Sequence, residues 1–88
     1  MKIVVLYRPD SEYARIVETF VHDYKRNHEG DKLELINVDS RDGAAMASLY
    51  DVVQHPAILA LRDDGSVSNM WQGPELPLMD EVAAYATA

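Results

Sequence analysis

The sequence predicts an α/β fold in which a four-stranded mixed sheet carries helices on both faces. Three observations support this prediction. An apolar run of strand length opens the chain, apolar residues then recur at intervals of three and four, and two later strand-like runs flank an Asp-Gly turn. The resulting order is β-α-β-α-β-β-α. A β-α-β start requires a parallel strand pair with a right-handed crossover, and the late hairpin adds antiparallel strands.

The first two elements are a buried strand and an amphipathic helix. Residues 2–7 are almost all apolar, which is typical of a strand covered on both faces. The helix is predicted over residues 11–28, with Asp10 or Ser11 capping its start. Its buried stripe should consist of Tyr13, Ile16, Val17, Phe20, Val21 and Tyr24.

The second strand and the second helix are shorter. Residues 32–38 alternate between polar and apolar and then become apolar, which predicts a strand. A loop with helix-start chemistry follows it. We expect a helix over residues 42–51 that buries Ala45, Met46 and Leu49.

A hairpin and a final helix complete the predicted fold. Pro56 opens an apolar run over residues 57–61, and the Asp-Gly turn separates that run from a strand over residues 66–72. The last helix is predicted over residues 77–86, with Pro77 in its first turn. Its buried residues should be Leu78 or Met79, Val82, Ala83 and Tyr85.

Length and charge limit the function classes. The 88 residues predict one domain, spanning residues 1–88. The formal net charge of −7 and the even spread of Lys and Arg oppose binding to a phosphate backbone. No apolar run approaches the ~18 residues of a membrane span, and the opening run lacks the features of a signal peptide. We therefore expect a cytoplasmic monomer that binds neither nucleic acid nor membranes.

The absence of cysteine is the most informative feature of the composition. It excludes disulfides, thiolate metal sites and a cysteine nucleophile. His22 and His28 lie six residues apart on the predicted helix, on different faces, and no third ligand accompanies them. We therefore expect neither a metal site nor a cofactor.

The second half of the sequence resembles the C-terminal half of the thioredoxin family. In that family a cis proline opens the third strand, and two later glycines fall in the hairpin and after the fourth strand. Pro56 has the position of that proline. The residues that carry the resemblance are Asn37, Val38, Asp39, Ala47, Tyr50, Val52, Pro56, Ala57, Ile58, Leu59, Gly65 and Gly73.

The first half is more similar to a glutaredoxin, and the two resemblances together cover about residues 2–86. Aligning Tyr7 and Pro9 places the family's Cys-x-x-Cys motif on residues 11–14, which read Ser-Glu-Tyr-Ala. Catalysis in the family requires a thiolate near a helix N-terminus and a second, resolving thiol. Val5 stands where thioredoxins bury an aspartate. The resemblance therefore implies a thioredoxin-like fold without the family's dithiol chemistry.

The resemblance also implies where a partner would bind. The backbone of His55 would line the groove in which relatives pair with an extended peptide. Ser11 is either a plain helix cap or, as in glutathione transferases, a hydrogen-bond partner for the thiol of glutathione. The candidate binding residues are Ser11, Glu12, Ala14, His55, Pro56 and Gly73.

The favoured function is a redox-inactive binding or scaffold module for a protein or extended peptide. Two alternatives stay open. The chain could bind glutathione or another small molecule through Ser11 and the Pro56 backbone, or it could be a cysteine-substituted form of a thiol-disulfide oxidoreductase. We name no catalytic residue and do not expect an enzyme. Trp71 is either a core residue or an aromatic at the groove rim.

Overall fold

The computed structural model describes residues 1–73 and 75–86. The order of elements is the predicted one, β-α-β-α-β-β-α. The strands and helices are β1 (Lys2–Tyr7), α1 (Ala14–Asn27), β2 (Leu33–Asn37), α2 (Arg41–Leu49), β3 (Ala57–Leu61), β4 (Val67–Gln72) and α3 (Met79–Ala86). None of the described helices is both long and apolar enough to cross a membrane.

The four strands form one mixed sheet in the order β2-β1-β3-β4. β1 is parallel to β2 and antiparallel to β3, and β3 is antiparallel to β4. The prediction of a mixed four-stranded sheet is therefore confirmed. The two central strands are continuous apolar runs because helices cover both faces of the sheet, and all five residues of β3 are buried.

Alternating residues of the central strands supply two apolar cores, one on each face of the sheet. The first core lies under α1 and α3, and the second lies under α2. The first contains Ile3, Val5, Tyr7, Ala14, Val17, Val21, Tyr24, Leu33, Ile58, Ala60, Val82 and Ala83. The second contains Val4, Leu6, Val52, Ala57, Leu59 and Leu61.

The start of α1 differs from the prediction. The helix begins at Ala14, and its N-cap is Tyr13, whose side chain makes no capping hydrogen bond. Neither Asp10 nor Ser11 caps it. The amide and the hydroxyl of Ser11 both donate to the carbonyl of Arg8, at 3.1 and 2.5 Å, so a turn occupies the residues that were expected to start the helix.

The predicted apolar stripe of α1 is wider than the stripe that the protein buries. Val17, Val21 and Tyr24 are buried, as predicted, but Ile16 is 60% exposed. Spacings of three and four residues give the direction of a helix face but not its width. Ile16 lies at the outer edge of the face, beyond the reach of the sheet.

The face of α2 is also different from the prediction. Ala45 is exposed, Leu49 is 73% exposed, and Met46 is half-buried. The buried residue of this helix is Gly43. A Cβ atom on Gly43 would overlap the carbonyl oxygen of Asn37. The backbone of α2 therefore approaches the end of β2 directly, and this close approach turns the face away from Ala45 and Leu49.

The last helix begins two residues later than predicted. Pro77 and Leu78 precede Met79, and Leu78 is 71% exposed. Val82 and Ala83 are buried, as predicted. Tyr85 is exposed at 36%, although its ring contacts the half-buried ring of Trp71.

Candidate functional site

The candidate residues lie at one end of the sheet. Leu6 on β1 is paired with Ala57 on β3, and Ala57 is paired with Gln72 on β4. On the other side of β1, Tyr7 is paired with Asn37 at the end of β2. The loops that follow β1, β2 and β4 therefore meet the segment that precedes β3. This end of the sheet carries His55, Pro56 and Gly73.

Pro56 and Gly73 are joined directly. The His55–Pro56 peptide bond is cis, and the amide of Gly73 donates to the carbonyl of Pro56 at 3.0 Å. Gly73 has φ +108°, which favours glycine, and a Cβ atom there would come within 3.1 Å of Oε1 of Gln54. A side chain at Gly73 would therefore be strained and would press against Gln54.

The side chain of Gln72 holds the segment before Pro56 in place. Its Oε1 accepts hydrogen bonds from the amides of Val53 and Gln54, at 2.9 and 3.1 Å. The side chain of Val53 itself is 79% exposed. Residues 53–55 thus form a fixed surface with an apolar rim, and Pro56 and Gly73, which adjoin it, are buried. We call this surface the His55 groove.

His55 has unused hydrogen-bonding groups in the described part of the chain. Neither its backbone amide nor its backbone carbonyl has a partner among residues 1–73 and 75–86. The Nε2 atom of its ring is buried and also lacks a partner there. Main-chain groups without a partner at the end of a sheet are what an incoming extended strand pairs with.

An ion pair lies near the ring of His55. Nε of Arg8 donates to Oδ1 of Asp39 at 3.2 Å, and both side chains are about half exposed. Burial lowers the pKa of His55 below its ordinary value, the charge of Arg8 lowers it further, and Asp39 partly opposes this change. The ring is therefore held in its neutral form near pH 7.

The lowered pKa of His55 should make folding stability depend on pH. The unfolded chain takes up a proton at an ordinary pKa of about 6.5, but the folded protein resists protonation until a lower pH. Stability should therefore be full above about pH 6.5 and fall as the pH decreases towards the folded pKa. We expect His55→Gln to lose less stability than the parent between pH 7.5 and pH 5.5, measured by urea denaturation.

The exposed residue His22 provides the matched control for this measurement. His22→Gln makes the same substitution at an exposed position outside the groove, and the pH dependence of His55→Gln is compared with it. Equal pH dependence in the parent and in His55→Gln would show that His55 titrates alike in the folded and unfolded states.

The segment of residues 11–14 follows the same end of β1, but no hydrogen bond or ion pair among the described residues joins it to His55 or Gly73. Ser11 is bound to Arg8, as described above. Glu12 is exposed, and Ala14 is buried in the core beneath α1. The structure therefore joins Pro56 to Gly73, with His55 next to Pro56 in the chain, and shows no bond between these residues and residues 11–14 in the part of the chain that it describes.

Three contributors to the site were not predicted from the sequence. They are the Arg8–Asp39 ion pair, the exposed Val53 and the bridging Gln72. The parallel pairing of β1 and β2 could have suggested the ion pair, because their carboxyl ends meet at one edge. Within the described ranges, no group of three or more His, Asp or Glu residues could hold a metal ion.

Comparison with known proteins supports the fold. No protein-family model matches the chain, and no curated protein sequence matches it either. The solved structure of thioredoxin 1 from the thermophilic eubacterium Thermosipho africanus TCF52B is similar, with a TM-score of 0.70 over 97% of this chain and 89% of that chain. The two sequences are 14% identical, so the likeness shows the fold alone. The chain has a thioredoxin-like fold, as the sequence resemblance implied.

Proposed function

We propose that this chain is a redox-inactive thioredoxin-like module that binds an extended peptide segment in the His55 groove. The observation that carries the proposal is that the main-chain amide and carbonyl of His55, beside Pro56, have no partner within residues 1–73 and 75–86. An extended peptide would donate to one group and accept from the other, as in other cases of strand addition. This pairing needs no cysteine, and none is present.

The walls of the groove indicate which peptides fit. Val53 offers an exposed apolar side chain at the rim, and Gly73 is buried against the side chain of Gln54. Arg8 and Asp39 neutralise each other nearby, so the groove itself does not demand a charged ligand. Because successive side chains of a strand point to opposite sides, we expect an apolar residue at alternate peptide positions only.

A selection from a random library of linear peptides tests the proposal. We expect it to yield peptides that bind the parent chain, with affinities measured by titration calorimetry. Val53→Asp should weaken binding about 10-fold, because it removes roughly 1–2 kcal/mol of apolar burial. The double variant His55→Asp, Gly73→Arg should abolish binding.

The matched control for Val53 is Leu49, which is 73% exposed at the far end of α2. Leu49→Asp makes the same chemical change outside the groove and should leave the affinity within about twofold of the parent value. Since Gly73 has a positive φ, thermal unfolding must show that the double variant is folded. Full affinity in a folded double variant would place the interface elsewhere.

Glutathione is the alternative ligand, and the structure does not favour it. The hydroxyl of Ser11, which would have to bind the glutathione thiol, already donates to the carbonyl of Arg8. An NMR titration with reduced glutathione separates the two functions. Clustered shifts at residues 9–14 and 54–57, together with failure of the peptide selection, would support the small-molecule function instead.

A further inference from the structure

A second surface lies at the opposite end of the sheet. Lys2 is paired with Leu61 at this end, whereas Leu6 is paired with Ala57 at the end that carries the His55 groove. Four residues of strand separate the two ends, about 13 Å at the usual rise per residue. A pocket of about 390 Å³ opens here between the sheet, the β3–β4 turn and the end of α2. It is lined by Met1, Lys2, Lys32, Met46, Tyr50, Leu61, Arg62, Asp63 and Gly65.

The charge of this pocket is opposite to the charge of the chain. The chain has 8 Lys and Arg residues against 15 Asp and Glu residues, for a net charge of −7. The nine lining residues include three of those basic residues and one acidic residue, Asp63. A cationic pocket in an acidic protein attracts anions to this place and repels them elsewhere.

The basic side chains are available to a ligand. Nη1 of Arg62 donates to Oγ of Ser66 and to the carbonyl of Val67, both at 3.1 Å, which fixes the guanidinium. Its Nη2 and Nε donate to no group within residues 1–73 and 75–86, so their N–H donors can serve a ligand. Lys2 pairs with Glu34 at 3.0 Å, but both side chains are exposed, so the pair is weak and exchangeable.

Lys32 adds a further positive charge to the pocket. Within residues 1–73 and 75–86 it makes no ion pair within 4.0 Å, although its charge helps to lower the pKa of Asp63. The carboxylate of Asp63 is bound to the amino group of Met1 at 2.8 Å. The acidic residue of the lining is therefore already neutralised by another partner.

The rest of the pocket wall is mainly apolar and packs against the core. Leu61 is buried in the core, and Met46 and Tyr50 pack against the same core. The hydroxyl of Tyr50 donates to the carbonyl of Gly65 at 2.8 Å, which ties the end of α2 to the β3–β4 turn. A concave site with an apolar wall and a few convergent polar groups is typical of small-molecule binding.

We propose that this pocket binds a small organic anion, namely a phosphate or carboxylate group carried on an aromatic or aliphatic body. Arg62 and Lys32 contact the anionic group, and Tyr50, Met46 and Leu61 contact the apolar body. This site is separate from the His55 groove, so it does not depend on peptide binding there. Occupation of the pocket would not block the groove.

Titration of ¹⁵N-labelled protein with phenyl phosphate and with benzoate tests the proposal. We expect saturable amide shifts at Lys2, Lys32, Arg62 and Gly65 with at least one of the two, and the stronger binder identifies the anionic group. Inorganic phosphate should bind at least 10-fold more weakly, because it lacks the apolar body. Benzylamine, which has the ring but the opposite charge, should cause no shifts at the pocket.

Two double variants distinguish specific binding in the pocket from a general electrostatic attraction of the anion to basic side chains. The double variant Lys32→Ala, Arg62→Ala should weaken binding at least 10-fold. The matched control is Lys25→Ala, Arg26→Ala, which removes two exposed basic residues of α1 and should leave the affinity within about twofold. Absence of saturable shifts with both anions, or equal weakening in the control, would overturn the proposal.

Discussion

Replacing Gly43 with alanine is expected to destabilise the protein by about 2–3 kcal/mol, as usual for an overpacked site that has little room to adjust. The new Cβ atom would overlap the carbonyl oxygen of Asn37 and lie 2.9 Å from Cα of Val38. Both neighbours are backbone atoms, so no side chain can rotate out of the way. Alanine stabilises a helix by up to about 1 kcal/mol relative to glycine, so a net loss of folding stability must come from the clash.

Gly30 provides the matched control, because nothing lies within 4 Å of a Cβ atom placed there. Gly30→Ala should raise the free energy of unfolding by no more than about 0.5 kcal/mol, because the unfolded chain becomes stiffer. Urea denaturation of both variants measures the difference. Equal stability of the two variants would mean that α2 can move away from β2 at little cost.

Introducing cysteines at the positions of the family's Cys-x-x-Cys motif should allow the motif's disulfide to form but should not give an efficient disulfide reductase. The variant is Ser11→Cys, Ala14→Cys. In the parent chain the amide of Ala14 donates to the carbonyl of Ser11 at 3.3 Å, which indicates a turn. Turn geometry places the two Cα atoms within the ~4.4–6.8 Å that a disulfide spans. We expect mass spectrometry to show quantitative intramolecular oxidation under mild conditions.

Reduction of insulin by this variant should nevertheless be slow. Ser11 lies before Tyr13, the N-cap, so the helix N-terminus acts on a thiol at position 11 only from a distance. Glu12 adds a negative charge that opposes the thiolate, and Val5 offers no proton acceptor for the second sulfur. The parent chain should show no turnover above background.

The control for this experiment is the single variant Ser11→Cys, which should form no intramolecular disulfide. If the double variant also forms none, the alignment of residues 11–14 with the redox motif is wrong. Rapid insulin reduction by the double variant would show instead that Glu12 and Val5 do not limit the chemistry.

Those parts of the fold that depend on burial alone were predictable. The predicted bounds of the third strand, residues 57–61, coincide with β3, because both faces of that strand are covered and its sequence is uniformly apolar. The start of α1 was not predictable from apolar spacing, since the turn that displaces it depends on two hydrogen bonds from Ser11 to Arg8. The face of α2 depends on the close approach of Gly43 to β2.

The candidate site was likewise predictable from the sequence only in part. His55, Pro56 and Gly73 were named because their offsets match a family pattern, and the structure places them together. The exposure of Val53 follows from how residues 53–54 bind the side chain of Gln72. That contact joins residues 19 and 18 positions apart in the chain, so no local sequence pattern could predict it. A monomeric state and a cytoplasmic location stay predictions.

The most direct test of the peptide-binding proposal uses peptides that cannot form one main-chain hydrogen bond. N-methylation removes the amide donor of a single peptide residue and leaves its side chain in place. A library-selected peptide would be methylated at each position in turn, and its binding to the ¹⁵N-labelled protein would be measured by NMR. The proposal predicts that methylation at the position opposite His55 weakens binding at least 10-fold, that methylation of the adjacent residue does not, and that the amide shifts centre on residues 53–56 and 73. Equal tolerance of methylation at every position, or shifts centred outside the His55 groove, would contradict it.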